Sequence, residues 1–357
     1  SAHAEAVGKV QLKETFGAFS GGALMSTFGP MATGYARVRA SVGAKPLVDK
    51  NGQWPVAVLS HSLSGWRHIN STYLVEIASH GAVAIGLEHC DRSACLALSN
   101  NLPHAVLATY AEREDMLKTA ADDNTSSSTS PPPEGADDAE AVVMKYRHAQ
   151  CAQRRSEVIA ALDGVEAALR ARFANDLPPS TKLCRADRDV AVLGQSFGGA
   201  SAASCILSKT HAHRFSHCLL YDPWIEGERD RMLPLKREDF DNPLSSSLKK
   251  LVIWRNGRSV LWNICKANWD ALAAKSPEVS VVHDYAECGH FAQTDAPVVF
   301  ESGPFAFLYK AIKGTDGEPD ARMTLNQSVD ETMSALDDGW FLVTDEQFQQ
   351  EPPTTTR

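Results

Sequence analysis

The sequence predicts an α/β fold in which a mainly parallel sheet is covered by helices on both faces. Short apolar runs of strand length alternate with segments of helical periodicity, an order typical of parallel sheets. Polar residues gather directly after several of these runs, where the carboxyl ends of parallel strands share one edge. Since 43% of the 357 residues are hydrophobic, residues 1–357 can bury one large core, and we expect a single domain with insertions.

Six strands are expected, because six short apolar runs are bounded by turn-forming or polar residues. They are Pro55–Leu59, Ala82–Leu87, Val190–Leu193, Ser216–Tyr221, Leu251–Trp254 and Val279–Val282. The second strand runs into Glu88-His89-Cys90-Asp91-Arg92-Ser93-Ala94. This is a dense polar group at a position where ligands of open α/β sheets usually bind.

Helical spacing fills the segments between these strands. Ser71 or Thr72 can cap a helix that ends at Gly81, and apolar residues at steps of four, three and four predict a long helix over Ala139–Phe173. Further helices are predicted after residue 197, through Trp262 and Trp269, over 297–313, and in a short segment containing Val329, Met333 and Leu336.

Three segments stand outside this alternation. Residues 15–35 are apolar, glycine-rich and irregular, which favours packing across the core and leaves contact with lipid as the alternative. Residues 122–138 are rich in Ser, Pro and acidic residues and predict a disordered surface insertion that proteases cut first. Residues 315–357 form an acidic carboxyl-terminal extension.

Composition excludes several classes of partner. The formal net charge is −9 and no cluster of Lys and Arg stands out, so no nucleic-acid partner is expected. No apolar run is long enough for a transmembrane segment, and the first residues lack the features of a signal peptide, although removal of a leader before Ser1 is left open. The eight cysteines are scattered singly, which favours buried thiols in a reducing, cytoplasmic compartment over disulfides in a secreted protein.

The motif Gly194-Gln195-Ser196-Phe197-Gly198 joins a predicted strand to a predicted helix. A G-x-S-x-G sequence in that setting is typical of the nucleophile elbow of the α/β-hydrolase fold, where the serine hydroxyl is exposed at a strained turn. An ordinary glycine-containing turn is the alternative interpretation. The motif therefore predicts an α/β-hydrolase fold with Ser196 as the nucleophile.

A serine nucleophile needs a histidine base and a carboxylate, and in this fold they follow it in the order Ser, Asp or Glu, His. Asp222 directly follows the next strand and is the predicted acid, with Glu226 in reserve. A turn role before Pro223 is the alternative for Asp222. His290 follows the last strand and is the predicted base.

The backbone N–H groups of Phe197 and Leu63 form the predicted oxyanion hole, because one donor follows the nucleophile and the other lies in the loop after the first strand. Bulky side chains crowd the loops expected around the site and predict a short acyl pocket: Trp66, Phe197, Trp224 and Phe291. His211, His213 and His217 lack the neighbours of a metal site, so they are expected at the surface, and no metal or other cofactor is expected.

Five segments follow one another in an informative order: Ser60-His61-Ser62-Leu63-Ser64, residues 88–94, residues 194–199, Asp222-Pro223-Trp224 and His290. This order resembles the platelet-activating factor acetylhydrolases, both plasma and type II intracellular, which carry S-H-G-L-G, E-H-x-D-R-S-A, G-H-S-F-G-G, D-x-W and a late catalytic His. The similarity spans roughly residues 20–310. It implies that Ser196, Asp222 and His290 are catalytic and that Leu63 and Phe197 are the oxyanion donors.

The chain departs from the family pattern at three positions. Ser62 and Ser64 replace glycines, and a positive φ at position 62 would distort the oxyanion loop. Gln195 replaces a histidine in the elbow. The family also usually has strands before the point where this chain starts, which leaves a truncated amino terminus open.

The resemblance implies a serine esterase that cleaves the sn-2 acetyl or short, oxidised acyl ester of platelet-activating factor-like phospholipids. A phospholipid substrate and peripheral contact with lipid surfaces are therefore expected. A general carboxylesterase or polyester hydrolase is the first alternative, and a catalytically inactive binding protein of the same fold is the second. The intact order of Ser, Asp and His favours an enzyme.

Overall fold

A six-stranded parallel sheet lies at the centre of the computed structural model. The structure describes residues 53–98, 106–119, 136–173, 182–225, 235–302, 319–337 and 340–341. The strands are β1 (Val56–Ser60), β2 (Val83–Gly86), β3 (Leu96–Leu98), β4 (Val106–Thr109), β5 (Val190–Gln195), β6 (Phe215–Tyr221), β7 (Lys250–Asn256) and β8 (Ser280–Tyr285). The parallel sheet has the order β2-β1-β5-β6-β7-β8, while β3 and β4 form a separate antiparallel pair.

The six predicted strands are confirmed, with ends that differ by three residues at most. Every residue of β1, β5 and β6 is buried, as expected for parallel strands covered on both faces. The edge strand β8 instead alternates between half-buried and exposed positions. The sequence does not predict the β3–β4 pair, because runs of three and four residues show no periodicity.

Helices cover both faces of the sheet, which confirms the predicted layering. They are α1 (Ser71–Ser79), α2 (Ala136–Phe173), α3 (Phe197–Ile206), α4 (Arg237–Phe240), α5 (Trp262–Ala273), α6 (Asp295–Ser302) and α7 (Ala321–Leu336). On one face, Val158 of α2, Cys205 of α3 and Trp269 of α5 belong to one apolar cluster. On the other, Tyr73 of α1 and Leu325 of α7 belong to a second. The predicted short helix around Val329 is therefore a full helix that completes the second core layer.

Two local predictions are wrong. Helix α1 is preceded by Asn70 rather than capped by Ser71 or Thr72, and the side chain of Asn70 makes no capping bond. The carboxylate of Asp295 instead accepts from the Thr72 N–H at 3.2 Å, a partner that no local pattern could indicate. His217 is not at the surface but buried in β6.

Several predicted segments lie outside the described residues. They are residues 15–35, residues 122–135 of the insertion, Glu226, residues 303–313 and, in the carboxyl-terminal extension, residues 315–318, 338–339 and 342–357. Residues 136–138 of the predicted disordered insertion belong to α2, which begins three residues earlier than expected.

The cysteines and helices also relate to the predictions of buried thiols and of no transmembrane segment. All eight cysteines are free thiols; seven are buried and Cys90 is exposed. Within the described ranges, no helix combines the length and apolar character that crossing a bilayer requires.

Candidate active site

The candidate site lies where the direction of the chain across the sheet reverses. From β1 the chain passes to β2 on one side, whereas from β5 it passes to β6 on the other. Strands β1 and β5 are neighbours, so the loops at their carboxyl ends lie at the position where open α/β sheets usually bind ligands. Leu63 follows β1 and Ser196 follows β5, which brings the predicted oxyanion loop next to the predicted nucleophile.

The turn at Ser196 is strained and tightly packed. Ser196 has φ 56° and ψ −119°, a conformation that costs energy for a residue with a side chain and is held by its surroundings. A Cβ on Gly194 would lie 2.1 Å from the Gly198 carbonyl oxygen, and a Cβ on Gly198 would lie 2.0 Å from the Ser60 carbonyl oxygen. Both glycines are therefore required for close contact of backbone segments, which answers why the motif places them there.

Ser196, His290 and Asp222 form a continuous hydrogen-bonded chain. Ser196 Oγ lies 2.8 Å from His290 Nε2, and His290 Nδ1 lies 2.5 Å from Asp222 Oδ2. Because a carboxylate can only accept, Nδ1 carries the hydrogen and Nε2 is free to accept from the serine hydroxyl. The three residues predicted from chain order are thus brought together, in an arrangement that can deprotonate Ser196.

The backbone around Asp222 holds its carboxylate in place. Asp222 is fully buried with φ 42°, and its N–H donates to the Trp254 carbonyl at 2.8 Å. Its second oxygen, Oδ1, accepts from the Asn256 N–H at 3.2 Å. Asn256, the last residue of β7, therefore supplies a backbone donor to Asp222.

Two amides hold the loop that carries His290. Gln195 Nε2 donates to the His290 carbonyl at 3.1 Å, so the residue that replaces the family histidine holds the backbone of the predicted base. Asn256 Nδ2 donates to the Gly289 carbonyl at 2.8 Å. Neither amide role could be inferred from the sequence, because each partner lies more than 30 residues away along the chain.

The predicted oxyanion donors lie on two packed elements. Phe197 is the first residue of α3, so its N–H has no acceptor within the helix. The side chains of Leu63 and Trp224 pack against the apolar cluster that contains Phe197. The concern about position 62 is wrong in its location, because the positive φ of 55° occurs at Ser64. Ser64 adopts this conformation while its N–H donates to the Ser93 carbonyl at 2.7 Å.

The predicted pocket residues divide into two groups. Trp224 and Phe291 are half-buried beside the site: the Phe291 ring lies 5.1 Å from the His290 ring, and the Trp224 ring lies 5.9 Å from that of Phe197. The Phe197 ring is fully buried, so it does not line an open pocket as expected. Trp66 is half-buried after the oxyanion loop, and its contact with substrate stays a prediction.

The polar segment after β2, residues 88–94, connects the predicted oxyanion loop to helix α2. His89, Asp91 and Ser93 are buried next to the predicted oxyanion loop, not exposed to a ligand as the sequence suggested. They contact Arg154 and Glu157 on α2. Sequence reasoning missed these two helix residues. Their spacing could have indicated them, because Gln150, Arg154 and Glu157 follow one another at steps of four and three and so share one face of the helix. Within the part of the chain described, no three His, Cys, Asp or Glu side chains meet as a metal site.

The chain is similar to two relatives of the same name. The chain is 29% identical over 231 residues to the platelet-activating factor acetylhydrolase of Gallus gallus, covering 60% of this chain and 47% of that one. It is 28% identical over 180 residues to the Cavia porcellus protein of the same name, covering 49% and 36%. The chain thus spans less than half the length of these two relatives.

A solved structure and a family model complete the comparison. The ferulic acid esterase from Streptomyces cinnamoneus superposes with a TM-score of 0.52 at 15% identity, over 96% of this chain and 82% of that one, which shows the α/β-hydrolase fold. The family model described as platelet-activating factor acetylhydrolase, isoform II, matches residues 22–244, more than half of the sequence. The chain therefore belongs to the platelet-activating factor acetylhydrolase, isoform II, family.

Proposed function

We propose that the chain is a serine esterase that hydrolyses the sn-2 acetyl or short, oxidised acyl ester of platelet-activating factor-like phospholipids. The observation that carries the proposal is the 2.8 Å contact between Ser196 Oγ and His290 Nε2 in a member of this family. The chicken and guinea pig relatives are named as acetylhydrolases, which supports the same substrate class. Ser196, Asp222 and His290 are proposed as the catalytic residues.

Acylation begins when Ser196 Oγ attacks the ester carbonyl carbon and His290 Nε2 takes the hydroxyl proton. Asp222, 2.5 Å from Nδ1, stabilises the imidazolium that forms. The backbone N–H groups of Phe197 and Leu63 donate to the oxyanion, and each such donor lowers the barrier by about 3 kcal/mol.

Collapse of the tetrahedral intermediate breaks the ester C–O bond, and His290 gives its proton to the departing lysophospholipid oxygen. Water then attacks the acyl-enzyme carbonyl carbon while His290 takes one of its protons. The C–O bond to Ser196 breaks, and the proton returns from His290 to Oγ as the short carboxylic acid leaves. One ester and one water are consumed, and all three side chains regain their starting protonation.

The preference for acyl length is the property that best distinguishes this function from that of a lipase. Trp224 and Phe291 flank Ser196 and His290 and leave space for a short acyl group in this proposal. Each methylene that fits contributes about 0.8 kcal/mol of burial, whereas one that does not fit costs about 1–3 kcal/mol through overpacking. We therefore expect kcat/KM to change little from acetyl to butyryl and then to fall steeply.

The test measures kcat/KM for phosphocholine lipids with acetyl, butyryl, hexanoyl and palmitoyl groups at the sn-2 position, below and above the micellar concentration. Ser196→Ala is the control for contaminating hydrolases. A preference for palmitoyl over acetyl would overturn the proposal in favour of a lipase. Equal rates on simple acetate esters and on lipids would favour a general carboxylesterase. No hydrolysis together with no labelling by a fluorophosphonate probe would indicate an inactive binding protein.

A further inference from the structure

Arg154 is a fully buried cation in the middle of α2. Its Nε donates to Asp91 Oδ2 at 3.1 Å and to Ser93 Oγ at 2.9 Å, and the Asp91 side chain is also fully buried. Its Nη1 donates to the carbonyl oxygen of His61 at 2.6 Å. A buried arginine with this many donors in use has a fixed orientation, because the planar guanidinium cannot turn without breaking several bonds at once.

The same guanidinium contacts both halves of the proposed oxyanion hole. The carbonyl of His61 lies two residues before Leu63, in the loop that provides one N–H donor. On its other side, the Arg154 guanidinium carbon lies 4.5 Å from the centre of the Phe197 ring, and Phe197 provides the second donor. A cation over an aromatic face is attracted to it, more strongly where water is excluded.

The proposed oxyanion loop has serines at positions 62 and 64, where the family has glycines. Ser64 is held at a positive φ while its N–H donates to the Ser93 carbonyl at 2.7 Å. Ser93 in turn accepts from Arg154 through its hydroxyl. Gln150, four residues before Arg154 on α2, donates to the Asp91 carbonyl at 2.7 Å. Support for the loop therefore passes through the 91–93 segment to one face of α2.

We propose that Arg154 is a positioning residue for the oxyanion hole: it sets the distance between the loop that carries Leu63 and the elbow that carries Phe197. The inference rests on the proposed esterase function and deepens it. Arg154 does not touch the reacting atoms. Its effect is to fix the two N–H donors for the tetrahedral intermediate, where a displacement of about 1 Å lowers the rate by about 100-fold.

The test replaces Arg154 by lysine, which keeps the charge that pairs with Asp91 but loses the fork that reaches Ser93, His61 and the Phe197 ring together. The matched control is Arg155→Lys, at the next residue of α2. The Arg155 side chain forms an ion pair with Asp239 at 3.4 Å, and neither residue belongs to the proposed site. Active sites are counted by complete reaction with a fluorophosphonate, and kcat is expressed per counted site. Short-chain ester hydrolysis gives kcat and KM separately.

We expect Arg154→Lys to lower kcat per site by about 10- to 100-fold with KM within about threefold, since the donors act on the transition state more than on bound substrate. Arg155→Lys should keep the wild-type kcat. A smaller number of active sites with unchanged kcat per site would overturn the proposal, because it would mean that Arg154 serves only folding.

Two further outcomes have to be distinguished from a change in kcat: a variant that does not fold and a wild type that is inactive. If Arg154→Lys yields no folded protein, Phe197→Leu decides, because it removes the ring face but keeps the N–H: a several-fold loss of kcat per site supports the proposal, and an unchanged kcat overturns it. A wild type that neither hydrolyses esters nor reacts with the fluorophosphonate overturns the proposed function itself, before any Arg154 variant is measured.

Discussion

Two chains of serine, histidine and carboxylate lie in this molecule with the same spacing. In the first, Ser196 Oγ is 2.8 Å from His290 Nε2, and His290 Nδ1 is 2.5 Å from Asp222. In the second, Ser60 Oγ is 2.8 Å from His89 Nε2, and His89 Nδ1 is 2.5 Å from Glu157. Hydrogen-bond distances alone therefore do not distinguish the proposed catalytic chain from the other.

The two chains differ in which end reaches solvent. In the first, Asp222 is fully buried and Ser196 is 6% exposed, so the proposed nucleophile is the end that a substrate can approach. In the second, Ser60 and His89 are fully buried, whereas the Glu157 side chain is 24% exposed. Ser196 also has a strained φ of 56°, whereas Ser60 ends strand β1 with no positive φ.

The electrostatic surroundings differ as well. Burial and, after it, the positive charge of Arg154 lower the pKa of His89 well below its ordinary value, so this ring is neutral and a weak base. Burial also raises the pKa of Glu157. The two chains thus differ in access to the serine, in its backbone conformation and in its distance along the fold from the predicted oxyanion donors, which are properties that a serine nucleophile of this fold is expected to need. The second chain instead ties β1, the segment after β2 and α2 together.

The largest difference is expected between the two serines. Ser196→Ala should lower kcat by about 10⁴-fold or more, because the hydroxyl is the attacking atom. Ser60→Ala should lower kcat by less than about tenfold and reduce the free energy of unfolding by about 1–2 kcal/mol, since buried His89 loses a partner. Esterase kinetics and urea unfolding measure the two effects, with circular dichroism as the check on folding. Wild-type turnover in a folded Ser196→Ala protein would reject the catalytic assignment.

The two carboxylates should differ next. Asp222→Asn should lower kcat by about 10⁴-fold, because an amide favours the wrong histidine tautomer while it preserves the shape of the side chain. Glu157→Gln should change kcat by less than about tenfold, because His89, its partner, is not the proposed base. The main effect should be on stability, through the loss of a hydrogen bond to a charged group. The two variants are compared by their kcat per active site, with active sites counted by complete reaction with a fluorophosphonate. Equal losses in the two variants would contradict the division of roles.

The smallest effect concerns pH. Since the pKa of His89 is lowered in the folded state and is about 6.5 in the unfolded state, the unfolded chain binds a proton below pH 6.5 that the folded chain does not. Stability contributed by neutral His89 is therefore present above pH 6.5 and lost as the pH falls, with a slope of up to about 1.4 kcal/mol per pH unit. We expect His89→Asn to flatten the fall in the free energy of urea unfolding between pH 7.5 and 5.5. Identical slopes in wild type and variant would exclude His89 as the source.

The sequence alone determined the strands of the parallel sheet, the helices on both faces and the order of Ser196, Asp222 and His290. These features depend on residues close together in the chain: apolar runs, helical spacing of three and four, and a glycine-flanked serine between a strand and a helix. In this fold the loops after parallel strands meet at one edge. Order along the chain was therefore enough to bring the three residues together.

Only the tertiary structure decided how the site is supported. Arg154 reaches His61 across 93 positions, and Gln195 reaches the His290 carbonyl across 95. Asp295 binds the Thr72 N–H across 223. These partnerships depend on how α2 and the loops lie against the sheet, and many placements are compatible with the same local pattern. A polar residue on a helix face looks solvent-exposed in sequence, and only packing shows that Arg154 is buried among acceptors that satisfy its charge.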